Sequence, residues 1–177
     1  MLQVIVGSMF SGKTEELLRR LERHRIANRK VALIKPNIDI RKNITHSGKV
    51  FNPIVVGKND WGTVYNILKE NDVVGIDEVE FFEESIYKIV KQINQHHMGT
   101  EKIIIAAGLD MDYQGNPFGI VPKLLAIADE ITKLHAVCES CYGEANISHR
   151  LSNKKEQIVI GGKDEYVALC WRCQKDK

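Results

Sequence analysis

The sequence has no long apolar segment and no marked excess of either charge. It has 177 residues, of which 25 are Lys or Arg and 23 are Asp or Glu, so its formal net charge is only +2. No apolar run approaches the roughly 20 residues that span a bilayer, and so small a net charge does not by itself indicate a nucleic-acid or membrane partner. Because 44% of the residues are hydrophobic and 27% are charged, the composition is typical of a globular domain with a real core.

The first residues show no recognisable signal peptide, since the apolar run up to Val6 is short and a glycine loop follows at once. We therefore expect a cytoplasmic protein. In a reducing compartment, cysteines bind metals more often than they form disulfides. The four cysteines of this chain are thus expected to be metal ligands.

Short β-rich segments alternate with helical patterns over about the first 135 residues. Several of the β-rich segments are apolar on both faces, which indicates a parallel sheet covered by helices on both sides. We predict an α/β domain over 1–135 and, where the character of the sequence changes, a small lobe over 136–177. The predicted strands are 2–6, 31–35, 72–76, 102–107 and 130–137, the predicted helices are 12–28, 63–70, 85–95 and 121–129, and the predicted loops include 37–53 and 108–119.

The segment Gly7–Thr14, GSMFSGKT, matches the phosphate-binding pattern G-x-x-x-x-G-K-[ST]. It lies between a predicted strand and a predicted helix, where backbone N–H groups and the helix N-terminus can surround a phosphate chain. Lys13 would reach the β- and γ-phosphates of ATP, and the Thr14 hydroxyl would bind Mg²⁺. The alternative is a glycine turn before a surface helix. The predicted phosphate-binding residues are Gly7, Ser8, Met9, Phe10, Ser11, Gly12, Lys13 and Thr14, and the predicted fold is a P-loop NTPase-like parallel sheet.

Two acids follow the apolar segment VVGI, in the sequence Asp77-Glu78. At the carboxyl edge of a parallel sheet, Asp77 could hold the magnesium shell as a Walker B aspartate does. Glu78 would then lie near the terminal phosphate and could accept a proton from an attacking hydroxyl or water. Alternatively, both acids could simply end a strand or cap the next helix.

The cysteines form two C-x-x-C pairs, Cys138 with Cys141 and Cys170 with Cys173, separated by 28 residues. Four thiolates at this spacing suit a closed tetrahedral Zn²⁺ site. Buried free cysteines or a redox pair are the alternatives. Since the lobe is small, we expect a zinc-ribbon-like structure to which the metal supplies much of the folding free energy.

These motifs, in this order, resemble the small, zinc-containing thymidine kinases over nearly the whole chain. The likeness rests on GSMFSGKT, on D-x-R at Asp39–Arg41, and on GIDE followed by two phenylalanines. It continues through GLD at Gly108–Asp110, NPFG at Asn116–Gly119, the run ADEITKLHAVC, and GGKDEY at Gly161–Tyr166.

The resemblance implies a role for individual residues. Glu78 corresponds to the general base that deprotonates the nucleoside 5′-hydroxyl. The zinc lobe carries a lasso loop, here about Gln157–Gly161, that binds thymine largely through main-chain groups. Glu80 stands where the family usually has glutamine. Further phosphate-side residues are Asp39, Arg41, Asp77 and Glu80, and the nucleoside-side residues are Met9, Phe82, Leu109, Tyr113, Ser148, Gln157, Ile158, Val159, Ile160, Gly161 and Tyr166.

The resemblance also implies partners: thymidine and ATP–Mg²⁺ as substrates, use of deoxyuridine, inhibition by thymidine triphosphate, and a homotetramer. Two other classes fit the motifs. One is an ATPase stimulated by nucleic acid, in which the lobe is a zinc ribbon that grips a strand. The other is a zinc-stabilised module that only senses nucleotide. Seven Lys or Arg against six Asp or Glu from Ala136 onward make the lobe a poor partner for a phosphate backbone, and the Asp77-Glu78 pair disfavours a module without catalysis.

Overall fold

A six-stranded parallel sheet forms the centre of the molecule. The computed structural model describes residues 1–38, 43–44, 50–95 and 102–175. The strands of the sheet are β1 (Leu2–Gly7), β2 (Val31–Pro36), β5 (Ile54–Val56), β6 (Val73–Ile76), β7 (Ile103–Gly108) and β8 (Glu130–Leu134). Their order across the sheet is β5-β2-β6-β7-β1-β8.

The central strands are buried on both faces, as the parallel arrangement requires. All six residues of β7 and all four of β6 are buried. The register places Val4 of β1 opposite Ala106 of β7 and Ile131 of β8. All five predicted strands contribute to the sheet, although the strand predicted over 130–137 leaves the sheet after Leu134. The sixth, β5, was not predicted, because three residues between Pro53 and Gly57 are too short a run to show a pattern.

Helices cover both faces of the sheet, which confirms the predicted fold class. One face packs against α1 (Lys13–Ile26) through Leu17, Leu18 and Leu21. The opposite face packs against three helices: α2 (Trp61–Glu70), α3 (Glu84–Gln95) and α4 (Val121–Ile127). Since alternate residues of each strand point to opposite faces, Ile5 faces α1 while Val4 and Val6 face the other three helices.

The predicted loop at 37–53 contains a short antiparallel pair between β3 (Asn43–Ile44) and β4 (Val50–Phe51). Asp39 and Arg41, which were predicted on the phosphate side, lie outside the described residues. None of the helices in the described ranges is both long and apolar enough to cross a membrane.

After β8 the chain forms two small antiparallel ribbons and a short helix. The first ribbon pairs β9 (Ala136–Val137) with β10 (Glu144–Ala145), and the second pairs β11 (Ile147–Arg150) with β12 (Tyr166–Leu169). The helix α5 is Trp171–Lys175. The core of this lobe is small and includes two cysteines: Ala136, Cys138, Ala145, Val167, Ala168, Leu169 and Cys173.

Candidate active site

The phosphate-binding loop connects the carboxyl end of β1 to the first residue of α1. At Gly7 a Cβ atom would lie 2.3 Å from the Leu134 carbonyl oxygen, and at Gly12 φ is +84°, so both positions favour glycine. Gly12 caps the helix without a side-chain hydrogen bond, which leaves the N–H groups of the first turn available to an anion. The Lys13 ammonium donates to the Ser8 carbonyl oxygen at 2.8 Å.

The small lobe is hydrogen-bonded to this loop. The Met9 backbone N–H donates to Ser148 Oγ at 2.9 Å, and the Ser8 hydroxyl donates to the Ala145 carbonyl at 3.3 Å. The phosphate-binding loop and the cysteine lobe are therefore in direct contact. Met9 and Ser148, both predicted on the nucleoside side, form part of this contact.

Thr14 and Asp77 lie together at the carboxyl end of the sheet. Thr14 Oγ1 lies 3.2 Å from each carboxylate oxygen of Asp77. Asp77 is only 2% exposed; burial raises its pKa, while Lys35 and the Thr14 hydroxyl act in the opposite direction. A hydroxyl and a carboxylate in this arrangement supply the oxygen ligands that Mg²⁺ prefers.

Lys35 is a charged residue of this site that the sequence analysis missed. It follows four apolar residues near the end of β2 and is 2% exposed. Its Nζ lies 3.5 Å from Asp77 Oδ2 and 4.0 Å from Glu78 Oε1. The only signal in the sequence was a lysine next to a proline at the end of an apolar strand.

Glu78 has a left-handed backbone, with φ +54° and ψ +43°. Such a conformation is costly for a residue with a side chain, and it is found preferentially at functional sites. It is held by the Glu78 N–H, which donates to Asp77 Oδ1 at 3.1 Å. The carboxylate is half-buried and lines a cavity.

Glu80 faces the same cavity but is only 5% exposed. Burial, together with the nearby Glu78 carboxylate, raises the pKa of Glu80 to about 8. Its Oε2 finds no hydrogen-bond partner among the described residues. We therefore expect Glu80 to be mainly protonated at pH 7 and not to add a full second negative charge beside the phosphates.

The cavity has a volume of about 570 Å³ and runs from the phosphate-binding loop to the small lobe. Most of the predicted nucleoside-side residues line it: Met9, Leu109, Tyr113, Ser148, Gln157, Ile158, Val159, Ile160, Gly161 and Tyr166.

Phe82 is the exception on the nucleoside side. It lies in the hydrophobic core against the sheet, and Phe81 lines the cavity in its place. A short 3₁₀ helix, Val79–Phe81, ends at Phe81, and Phe82 after it has an extended backbone, so the two neighbouring side chains point in different directions. Among the predicted loop residues, Gly7, Ser8 and Ser11 do not line the cavity.

The four cysteines converge in the lobe. Their sulfur atoms all lie within 4.8 Å of one another, and the Sγ atoms of Cys141 and Cys170 are 3.7 Å apart. Tetrahedral zinc with Zn–S bonds of about 2.3 Å requires a sulfur separation of about 3.8 Å. Backbone N–H groups, chiefly that of Cys141, lower the pKa of Cys138 to about 6, and the Cys173 N–H lowers that of Cys170, whereas the other three cysteines raise the pKa of Cys173 to about 11. The sulfur geometry is what carries the assignment of a metal site. The donor set therefore fits a zinc ion bound by thiolates.

The model of one protein family, described as thymidine kinase, matches residues 1–174 of this chain. The chain belongs to the thymidine kinase family.

This chain is also similar in sequence to individual thymidine kinases. A thymidine kinase of Coprothermobacter proteolyticus is 44% identical, over 96% of this chain and 87% of that protein. Thymidine kinases of Bacteroides thetaiotaomicron and Bacteroides fragilis are 40% and 39% identical, each over 97% of this chain and 85% of its own length. Membership in this family confirms two predictions, the resemblance inferred from the motifs and the enzyme class. It does not favour the alternative of an ATPase stimulated by nucleic acid.

Proposed function

We propose that this protein transfers the γ-phosphoryl group of ATP to the 5′-hydroxyl of thymidine, giving dTMP for the salvage of DNA precursors. One observation carries the proposal beyond family membership. A single cavity is lined by Lys13, Thr14 and Glu78 and also by the segment 157–161 with Tyr113 and Tyr166. A nucleotide on the first group of residues and a nucleoside on the second would share the cavity that Glu78 lines.

ATP lies on the loop between β1 and α1. Its phosphates accept hydrogen bonds from the first N–H groups of α1, and Lys13 exchanges the Ser8 carbonyl for a phosphate oxygen. Thr14 and Asp77 would hold the magnesium ion that accompanies ATP, and that ion would neutralise charge on the transferred phosphoryl group. Phosphoryl transfer depends mainly on positioning and charge neutralisation, which this end of the cavity supplies.

Glu78 accepts the proton of the 5′-hydroxyl during transfer. Its strained backbone and the Asp77–Glu78 hydrogen bond hold the carboxylate at the edge of the sheet. Lys35 lies 4.0 Å from Glu78 and 3.5 Å from Asp77, and its positive charge opposes the burial that raises the pKa of Asp77. Since burial raises the pKa of the neighbouring Glu80 to about 8, we assign the role of proton acceptor to Glu78.

Thymine lies at the other end of the cavity, against the lasso loop. Main-chain N–H and C=O groups of 157–161 pair with the polar edge of the base, and a mismatched base leaves buried groups unpaired. The cysteine cluster binds one structural zinc ion, which stabilises the lobe that carries this loop.

An assay of ADP release tests the proposal. The purified protein is mixed with ATP–Mg²⁺ and with thymidine, deoxyuridine or single-stranded DNA in parallel. We expect ADP release with thymidine, and at some rate with deoxyuridine, but not with single-stranded DNA. Release driven by DNA and not by thymidine would overturn the proposal. Metal analysis of the same sample should find one zinc per chain.

Three further properties remain predictions: a homotetramer and inhibition by thymidine triphosphate, which the resemblance implies, and a cytoplasmic location, which the sequence analysis predicted. The first is checked by light scattering and the second by adding thymidine triphosphate to the ADP assay. The division into an α/β domain over 1–135 and a lobe over 136–177 also stays a proposal, supported by the end of β8 at Leu134.

A further inference from the structure

Arg150 is a buried cation at the foot of the segment 154–161 and takes no part in the steps above. It ends β11 and is 6% exposed. No carboxylate in the described part of the chain forms a salt bridge with it. Its guanidinium instead donates to three backbone carbonyl oxygens, those of Lys154 at 3.1 Å, Glu156 at 2.5 Å and Gln157 at 3.0 Å.

The same guanidinium joins two tyrosines that line the cavity. It stacks on the Tyr113 ring at 3.6 Å from the ring centre and donates to the Tyr166 hydroxyl at 2.9 Å. That hydroxyl in turn donates to the Val159 carbonyl at 2.8 Å. Arg150 thus reaches Val159 through one intermediate and contacts the loop that follows β7.

A second set of contacts ties the same segment to that loop. The Gln157 amide donates to Asp112 Oδ2 at 3.0 Å, and the Tyr113 hydroxyl lies 3.4 Å from the Lys155 carbonyl. Asp112 is itself held by the backbone N–H groups of Gln114 and Asn116. The segment 154–161 is therefore fastened from both sides of the cavity.

These contacts matter because the segment has little else to order it. Most of its side chains are exposed, and it contains no helix or strand. A buried guanidinium is stable only while its donors are satisfied, so its burial holds the carbonyl oxygens of 154, 156 and 157 in fixed places. The planar fork of arginine can serve several acceptors at once, whereas a lysine ammonium is a point charge on a flexible chain.

We infer that Arg150 is the positioning residue that shapes the nucleoside-binding segment. By fixing the carbonyls of Lys154, Glu156 and Gln157, where the lasso loop begins, and that of Val159 through Tyr166, it sets the main-chain groups that meet the base. The inference rests on the proposed function. It predicts that affinity for the nucleoside depends on Arg150, while affinity for ATP, which binds on the other side of Glu78, does not.

Two substitutions test this role. Arg150→Met keeps an apolar side chain of similar length and removes every donor, and Arg150→Lys keeps the charge but not the fork. We expect the KM for thymidine to rise about tenfold or more in Arg150→Met and by less in Arg150→Lys. The KM for ATP should stay within about twofold. Amide hydrogen exchange over 154–161 should become faster in both variants while zinc content is unchanged.

Lys163→Met is the matched control, because Lys163 is an exposed cation of the same lobe and should leave both KM values and the exchange unchanged. A folded Arg150→Met protein with unchanged thymidine KM and unchanged exchange would overturn the inference. If Arg150→Met does not fold, two other variants replace it: Arg150→Lys, and Tyr166→Phe, which removes the hydroxyl between Arg150 and Val159. Both must then show a raised KM for thymidine with an unchanged KM for ATP. An unchanged thymidine KM in both overturns it equally.

The test separates this inference from the proposed function. A wild-type protein that does not phosphorylate thymidine refutes the proposed function, and the exchange comparison still decides whether Arg150 orders 154–161. If the wild type phosphorylates thymidine but the Arg150 variants leave the thymidine KM and the exchange over 154–161 unchanged, only the inference about Arg150 is refuted.

Discussion

Replacing Glu80 with glutamine tests whether its buried carboxyl is protonated in the folded protein. The ordinary pKa of this group is 4.5, and burial beside Glu78 raises the pKa to about 8. Between these values the unfolded chain loses the proton while the folded protein keeps it, so this carboxyl makes stability fall as pH rises. Each pH unit inside the window is worth about 1.4 kcal/mol. From pH 6 to pH 8, wild type should therefore lose about 2 kcal/mol relative to Glu80→Gln.

Urea unfolding of the zinc-loaded proteins at several pH values measures this difference. Glu80→Gln keeps the size of the side chain and cannot ionise, so its stability curve should lie above that of wild type at pH 8 and approach it near pH 5. Glu70→Gln, at an exposed position at the end of α2, is the control and should track wild type. Parallel curves for wild type and Glu80→Gln would show that Glu80 is not held neutral by its surroundings.

Three other changes address the proposed roles. Glu78→Gln should lower kcat by about 100-fold or more, the usual worth of a general base, with an unchanged KM for ATP; near-normal turnover would remove Glu78 from that role. Lys35→Met should destabilise the fold by about 3 kcal/mol because it leaves Asp77 buried without its cation, and adding Asp77→Asn should recover part of the loss in urea unfolding. Removing zinc with a chelator should raise the KM for thymidine, and a metal-free protein with unchanged thymidine affinity would contradict the structural role of the metal.

Local sequence patterns were sufficient for the sheet and for the phosphate-binding loop. Strands such as β7 are apolar at every position, so their burial on both faces could be predicted without knowing their neighbours. The conformation of the loop at Gly7–Thr14 is determined by its own glycines and by the helix that follows it. The two C-x-x-C pairs predicted a single site formed by all four cysteines, because four thiols can bind one metal ion only when they lie close together.

Features that depend on contacts between distant segments were missed. The strand β5 is three residues long and exists because β2 lies beside it. Phe82 was expected in the cavity, but the turn at Val79–Phe81 places Phe81 there instead.

The family, the parallel α/β fold and the residues that can hold phosphate and metal could all be predicted from the amino-acid sequence, because each depends on a short run of neighbouring residues. The contact of Lys35 with Asp77 and that of Arg150 with Tyr113 became visible only in the folded chain. The same holds for the burial of Glu80, which raises its pKa. Burial, charge environment and hydrogen bonding depend on atoms that different strands and loops bring together, and the local sequence around a lysine or an arginine does not indicate which residues it will contact.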